Sequence, residues 1–358
     1  MNAPARTGLV THPDCLRHDP GEGHPERPER LNAILGALGR SGLFQQLSSL
    51  AAPLAEPADF ELVHAPRYVA ALGEAARQAP VLLDGGDTVL STGSWNAASR
   101  AVGGALAAVD RVLSGEWGNA FVAARPPGHH AESDRAMGFC LFNQVAIAAR
   151  HLRTRRGLER VAILDFDVHH GNGTQHAFES DPTVLYASLH QFPLYPGTGA
   201  ARERGVGDGV GATLNCPQPP GAGESEWMAS LEREVIPALE KFRPQFLLLS
   251  AGFDAHAEDP LAQQELATET YRRITQLCTS FARQHCDGRI VAVLEGGYDL
   301  DGLGGGMSAV LSALAGEAAP MPELAPLPAH IVARAAIEGT LLAHREAGAP
   351  IGDATTAR

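Results

Sequence analysis

Five short, continuously apolar runs constrain this chain more than anything else in it: Ala120–Ala124, Val161–Phe166, Val184–Tyr186, Phe246–Leu249 and Ile290–Leu294. None alternates apolar with polar residues, so each suits a strand covered on both faces. Helical patterns lie between them. Trp95–Leu113 follows the cap candidate Ser94 and stops before Gly115, Asn143–Arg156 stops at Gly157, and Glu224–Phe242 and Ala267–His285 are alike. Strand–helix alternation of this kind specifies an α/β fold, a mainly parallel sheet between helical layers in a three-layer α/β/α domain. Residues 1–345 read as a single domain and 346–358 as a loose tail.

Each apolar run ends on residues able to do chemistry. The endings are Arg125-Pro126-Pro127-Gly128-His129-His130, Asp167-Val168-His169, Ser188-Leu189-His190, Ser250-Ala251-Gly252-Phe253-Asp254 and Glu295-Gly296-Gly297-Tyr298. Ligands of open α/β sheets bind beyond the carboxyl ends of the strands. A parallel sheet therefore gathers all five endings along one edge. Long Gly- and Pro-rich segments at 12–28, 80–94, 191–223 and 252–265 have the length of functional loops.

Bulk composition excludes several classes. Apolar residues make up 44% of the 358 and charged residues 19%, which is a core-forming composition and not a disordered one. A formal net charge of −13 argues against nucleic acid as partner, since phosphate binding wants a basic surface. Cysteines at 15, 140, 216, 278 and 286 form no CxxC pair and are odd in number, so neither a disulfide framework nor a thiolate zinc site is expected. No apolar stretch follows Met1 as a signal peptide would, and no run reaches the roughly 20 residues of a membrane span. The expected location is cytoplasmic, with no membrane partner.

The densest ending is Asp165 to Gly173, with Asp165, Asp167, His169 and His170 close behind an apolar strand. Asp167 and His169, two apart, point the same way on an extended segment. Asp254 is the natural third ligand from a neighbouring strand. Two carboxylates and one imidazole leave a position free, the pattern of a catalytic zinc site. His129 and His130 follow a rigid Pro-Pro-Gly turn and supply a general base and an electrostatic partner beside such a metal. Each needs an acceptor on its other ring nitrogen; Asp165 is placed to serve His129, and Asn172 to serve His130. Tyr298 after two glycines is a candidate donor to a developing oxyanion.

These words together resemble the histone deacetylase family, most of all its class II and bacterial branches, which include acetylpolyamine deacetylases. The resemblance rests on His24-Pro25-Glu26-Arg27-Pro28-Glu29-Arg30-Leu31, Arg125 to Ala131, Gly138-Phe139-Cys140-Leu141-Phe142-Asn143, Asp165 to Gly173, Tyr195-Pro196-Gly197-Thr198-Gly199, Ser250 to Asp254 and Glu295 to Tyr298. It implies an arginase/deacetylase-like fold and the removal of acyl groups from acylated amines. Asp167, His169 and Asp254 would bind zinc (Zn2+), with ferrous iron (Fe2+) as the alternative. His130 would be the general base and then acid, His129 its partner, and Tyr298 the carbonyl polariser. Phe139, with Gly138 beside it, and Tyr195 would wall the acyl channel, and Asp87 would grip substrate at the rim. A structural monovalent cation (K+) would sit on oxygens of Asp165, Asp167 and His169 near Ser188 and Leu189. One departure is Asn172, where some branches carry aspartate.

Three rivals stay open on sequence. The amine is either a lysine side chain or an acetylated polyamine. Some polyamine-preferring relatives carry a glutamate seven positions after the last zinc ligand, and here that place is Leu261. A two-manganese ureohydrolase would need aspartates where this chain has Gly171 and His256. A non-catalytic zinc-bound reader of acylated ligands would be expected to lack Tyr298 or a histidine. Assembly into homo-oligomers is open as well.

Overall fold

In a computed structural model, residues 6–316 and 331–346 are described; the tail expected at 346–358 lies, past Glu346, outside them. The core is an eight-stranded sheet in the order β2-β1-β5-β10-β9-β6-β7-β8. Its strands are β1 (Thr7–Thr11), β2 (Ser48–Ala51), β5 (Asn119–Val122), β6 (Val161–Asp165), β7 (Val184–Gln191), β8 (Thr213–Gln218), β9 (Leu247–Ala251) and β10 (Ile290–Leu294). Every pairing in it is parallel. A separate antiparallel hairpin joins β3 (Val81–Leu83) to β4 (Thr88–Leu90). Strands β6, β7, β9 and β10 are buried along their whole length, which is why their sequences open on apolar residues without alternation; in β7 the buried stretch then continues through Ser188, His190 and Gln191.

Helices cover both faces. On one side α1 (Glu29–Ser41), α9 (Thr268–His285) and α10 (Leu300–Leu314) pack in a row, and on the other α4 (Ser94–Leu113) lies against α5 (Gln144–Thr154). The remaining helices are α2 (Pro57–Phe60), α3 (Pro66–Ala76), α6 (Asn172–Phe178), α7 (Glu224–Ser230), α8 (Ile236–Phe242) and α11 (Ile331–Glu346). The single helix expected over Glu224–Phe242 is interrupted by a π-helical turn at Leu231–Val235. No helix among the described residues is long and apolar enough to cross a membrane. All five cysteines are free and buried.

Three sheet strands escape the apolar-run criterion. Strands β2 and β8 are the sheet edges, and an edge strand tolerates polar residues and even Pro217, which need not donate to a neighbour. Strand β1, Thr7-Gly8-Leu9-Val10-Thr11, carries only two large apolar residues between threonines. The run at Val184 continues to Gln191, so Ser188, Leu189 and His190 lie within β7 and not beyond it. The segment expected as the loop 191–223 contains β8, and that at 80–94 contains the hairpin.

Candidate active site

The carboxyl ends of β5, β6, β9 and β10 converge, and the polar endings meet there. Strand β6 stops at Asp165, and residues 167–169 form a bend instead of the extended segment expected from the sequence. The bend still brings Asp167 and His169 together. His169 Nδ1 lies 3.2 Å from Asp167 Oδ1 and 3.1 Å from Asp254 Oδ2. One donor atom from each residue falls within 4.8 Å of the others, the one such trio among the described residues. Backbone amides hold the carboxylates in place: Val168 donates to Asp254 Oδ1 (3.0 Å) and Gly296 to Asp167 Oδ2 (2.7 Å).

This trio fits a divalent cation. Two buried carboxylates face one imidazole, and glycine backbone is pressed against them. A Cβ on Gly296 would stand 2.1 Å from Asp254 Oδ2, and one on Gly252 2.2 Å from Asp167 Oδ2. Burial and the neighbouring Asp167 both push Asp254 upward, with His169 only partly opposing them. A cation relieves that repulsion, and mixed carboxylate–imidazole donors suit zinc and ferrous iron alike.

His129 and His130 sit beside the trio with ring centroids 4.0 Å apart. His129 Nδ1 pairs with Asp165 Oδ2 at 3.1 Å, and its Nε2 is 3.8 Å from Asp167. Burial opposes charge on His129, but Asp167 and Asp165 outweigh it and push the imidazole up to about 10. His130 Nδ1 is 2.8 Å from Asn172 Oδ1. Burial, with His129 and His169 nearby, holds His130 well below the ordinary histidine range. The amide oxygen accepts Nδ1–H and leaves the lone pair on Nε2, as a general base requires.

Tyr298 is buried under a cation–π contact, with the Arg30 guanidinium carbon 4.8 Å from its ring centre. Burial keeps its phenol protonated far above the ordinary tyrosine range, with Arg30 opposing. Phe139 faces Tyr298 (centroids 5.8 Å), and Tyr195 faces His130 (5.2 Å) and His169 (6.3 Å). The two aromatic walls thus flank the histidines and the phenol. Phe139 holds φ = 68°, a left-handed conformation uncommon outside glycine, pinned by its N–H on Thr88 Oγ1 (3.0 Å). The preceding Gly138 N–H is held by Asp84 Oδ2 (3.0 Å).

The other expected residues are farther out. Asp87 is exposed beside the β3–β4 turn, and its carbonyl accepts from His24 Nε2 (3.2 Å). Leu261 is half-buried, its N–H on Asp259 Oδ1 (3.1 Å). Ser188 pairs in register with Asp165 and hydrogen-bonds His190 Nδ1 at 2.9 Å, next to buried Leu189. Gly171 leaves no room for the second-metal aspartate of a ureohydrolase, since a Cβ there would lie 2.3 Å from Asp165 Oδ2.

Sequence reasoning missed several supports. Tyr186 donates its hydroxyl to Asp165 Oδ2 (3.1 Å) from the adjacent strand β7. Glu295 Oε2 accepts from the backbone N–H of Gly128 (2.6 Å) and His129 (3.1 Å), fixing the histidine turn. Asp259 Oδ2 accepts from Tyr298 N–H (2.6 Å). Arg30 donates to the carbonyls of Gly297 and Glu295, both at 2.6 Å. Glu295 and Arg30 stood inside recognisable words, but their partners are far away in sequence.

Comparison with known proteins agrees with this geometry. Residues 24–314 match the histone deacetylase domain. The chain is 43% identical to a histone deacetylase-like amidohydrolase of Pseudomonas aeruginosa over 77% of its own length and 73% of the relative's. It is 38% identical to the human polyamine deacetylase HDAC10 over 88% of its length, and it spans about half of that relative. The solved HDA15 HD domain superposes with a TM-score of 0.89 at 33% identity, covering 96% of this chain and 95% of that one. A parallel sheet that delivers two histidines, a phenol and a carboxylate–imidazole trio to one edge, together with these matches, places the chain in the histone deacetylase family, as a hydrolase of amide bonds.

Proposed function

We propose that this protein is a zinc-dependent deacylase that releases acetate, or a longer acid, from the acylated side chain of lysine. The observation that carries the reading is the meeting of three elements between aromatic walls: the Asp167–His169–Asp254 trio, a His130 whose Nε2 is left basic, and a protonated Tyr298. When bound, the divalent cation supplies Lewis acidity that polarises the amide carbonyl and acidifies water. His130 Nε2 takes a proton from water as its oxygen bonds to the carbonyl carbon. The Tyr298 hydroxyl donates to the oxygen on which charge develops. His130 then returns its proton to the nitrogen as the C–N bond breaks, leaving a carboxylate and a free amine. Protonated His129, anchored on Asp165, sets the field around this exchange and does not take the proton itself.

Phe139, Gly138 and Tyr195 line the acyl channel in this reading, and Asp87 grips the substrate at the rim. Oxygens of Asp165, Asp167 and His169, with Ser188 and Leu189, would hold a potassium ion, which would brace the β6–β7 end. The working compartment is the cytoplasm.

An acetylated polyamine is the second substrate reading, favoured by the likeness to a polyamine deacetylase. Leu261 weighs against it, because an apolar side chain there offers a polyammonium chain no counter-charge. The test is acetate release from acetyl-lysine peptides, longer acyl-lysine peptides and acetylputrescine, with bound metal measured by elemental analysis. Faster turnover of acetyl-lysine with one zinc per chain is expected. Preference for acetylputrescine would overturn the substrate assignment, and tight binding without acetate release would make the protein a reader of acyl groups instead.

A further inference from the structure

The amide of Asn172, at the start of α6, is wedged between two groups. Its Oδ1 faces His130 Nδ1 at 2.8 Å, while its Nδ2 donates to Glu132 Oε1 at 2.5 Å and to the His130 carbonyl at 3.3 Å. Glu132 is also held by His176, whose Nδ1 lies 2.9 and 3.0 Å from the two carboxylate oxygens. Asn172 and His176 are four apart, so α6 presents both to Glu132 from one face. The Glu132 loop is closed by its own N–H on the Arg135 carbonyl (2.9 Å).

An amide opposite an imidazole has an ambiguity that a carboxylate lacks. Turned one way, it accepts Nδ1–H and leaves Nε2 with its lone pair. Turned over, its NH2 donates to Nδ1 and drives the proton onto Nε2, where the ring can no longer accept one. The His130–Asn172 contact alone opposes the flip only through the long bond to the His130 carbonyl (3.3 Å), which does not forbid it. A carboxylate behind the amide does, because it only accepts: it meets an NH2 favourably and an amide oxygen with repulsion. His176 reinforces this by keeping the Glu132 carboxyl ionised against the cost of its partial burial.

We propose that Glu132 is a positioning residue that locks the Asn172 amide and so fixes the proton of His130 on Nδ1, through a chain His130–Asn172–Glu132–His176 running from the site to the surface. The proposal rests on the general-base reading of His130, and it gives the acid–base pair of this chain a third and a fourth member.

The test is a two-by-two set of variants in the metal-loaded protein. Glu132→Ala should lower kcat roughly tenfold or more with KM within about twofold, the scale of lost outer contacts to a catalytic group. Glu132→Gln, which still offers an oxygen, should recover part of it. Asn172→Asp needs no lock and would instead place two carboxylates in contact. In that background Glu132→Ala should therefore raise kcat. Loss in both backgrounds would make Glu132 a merely structural residue and overturn the proposal. Nitrogen-15 NMR of labelled histidine gives a readout without substrate: a single Nδ1–H tautomer for His130 in the parent, and a mixture in Glu132→Ala. An unchanged tautomer in that variant would also overturn it. A tautomer change without acetate release from any variant would support the lock and refute the deacylase reading. Should Glu132→Ala not fold, Glu132→Gln against Asn172→Asp carries the same reversal of sign.

Discussion

Two buried groups of charge touch the Glu295–Tyr298 turn, and they solve the same problem differently. On one side Glu26, fully buried, receives a bidentate pair from Arg125 (both 2.6 Å), a bond from Arg30 (3.1 Å) and an imidazole contact from His18 (3.0 Å). The spare guanidinium N–H groups reach carbonyls of Cys15, His18, Glu295 and Gly297. Burial opposes the charge on Glu26, yet Arg125, His18 and Arg30 hold it well below the ordinary glutamate range. On the other side Asp167 and Asp254 share the His169 imidazole and pair with no guanidinium among the described residues; against burial, His129 at 3.8 Å and His169 hold Asp167 down, while burial and Asp167 drive Asp254 upward. The first cluster is balanced from within the chain. The second leans on imidazoles, and once His169 is neutral, as a metal ligand must be, Asp254 has no cationic ion-pair partner among the described residues; that is the place for a cation from solution.

Four measurements break or sharpen this contrast. Glu26→Ala should have the largest effect, about 3–5 kcal/mol of folding stability by urea denaturation, because it leaves two buried guanidiniums unmatched. A loss under about 1 kcal/mol would put the two clusters in one class. The sign with pH is fixed too. The folded value of Glu26 is depressed, so its stabilisation is present above the ordinary value of 4.5 and fades as acid carries the pH below that, toward the folded value.

Tyr298→Phe should come next, at about 2.7–4 kcal/mol in the barrier, a fall in kcat of roughly 10²–10³ with metal content unchanged. Full turnover in that variant would remove the phenol from the chemistry. Chelation then separates the clusters directly. At a free cation concentration about a hundred times Kd, the loaded protein should exceed the stripped one by about 2.7 kcal/mol. Asp254→Asn should abolish both that gap and the bound metal, and equal melting with and without cation in the parent would mean that the second cluster is closed on its own. The smallest effect is the surface control: breaking Arg67–Asp134, 3.0 Å apart but with side chains 81% and 51% exposed, should cost no more than about 1 kcal/mol.

The open cluster was legible in the sequence and the closed one was not. Asp167, His169 and Asp254 announce themselves because ionisable side chains at the mouth of an apolar strand have few other uses. His129, His130 and Tyr298 could be placed because strand order alone brings strand ends to a common edge. Glu26, Arg30 and Arg125 are spelled out in the same words, and Glu26 and Arg30 stand four apart, but the other guanidinium contacts that close the cluster span 99 to 267 positions, which no local period reveals. Glu132 was hidden differently. Read alone it is an acidic loop residue, and only the approach of α6 shows that it faces the back of Asn172. The bend at 167–169 shows that three side chains expected together can meet although the local conformation differs from the extended one expected, since they are positioned by β6, β9 and backbone amides together.

The grip of Arg30 on the carbonyls of Glu295 and Gly297 ties the first helix to the last strand of the sheet. During translation the guanidinium emerges some 267 residues before its partners. Until they arrive, the guanidinium lacks its two carbonyl acceptors, and the Tyr298 phenol that packs against it follows them in the chain. The reactive pocket is thus completed last, so a product terminated just before residue 295 would carry both histidines and the whole Asp167–His169–Asp254 trio without the phenol.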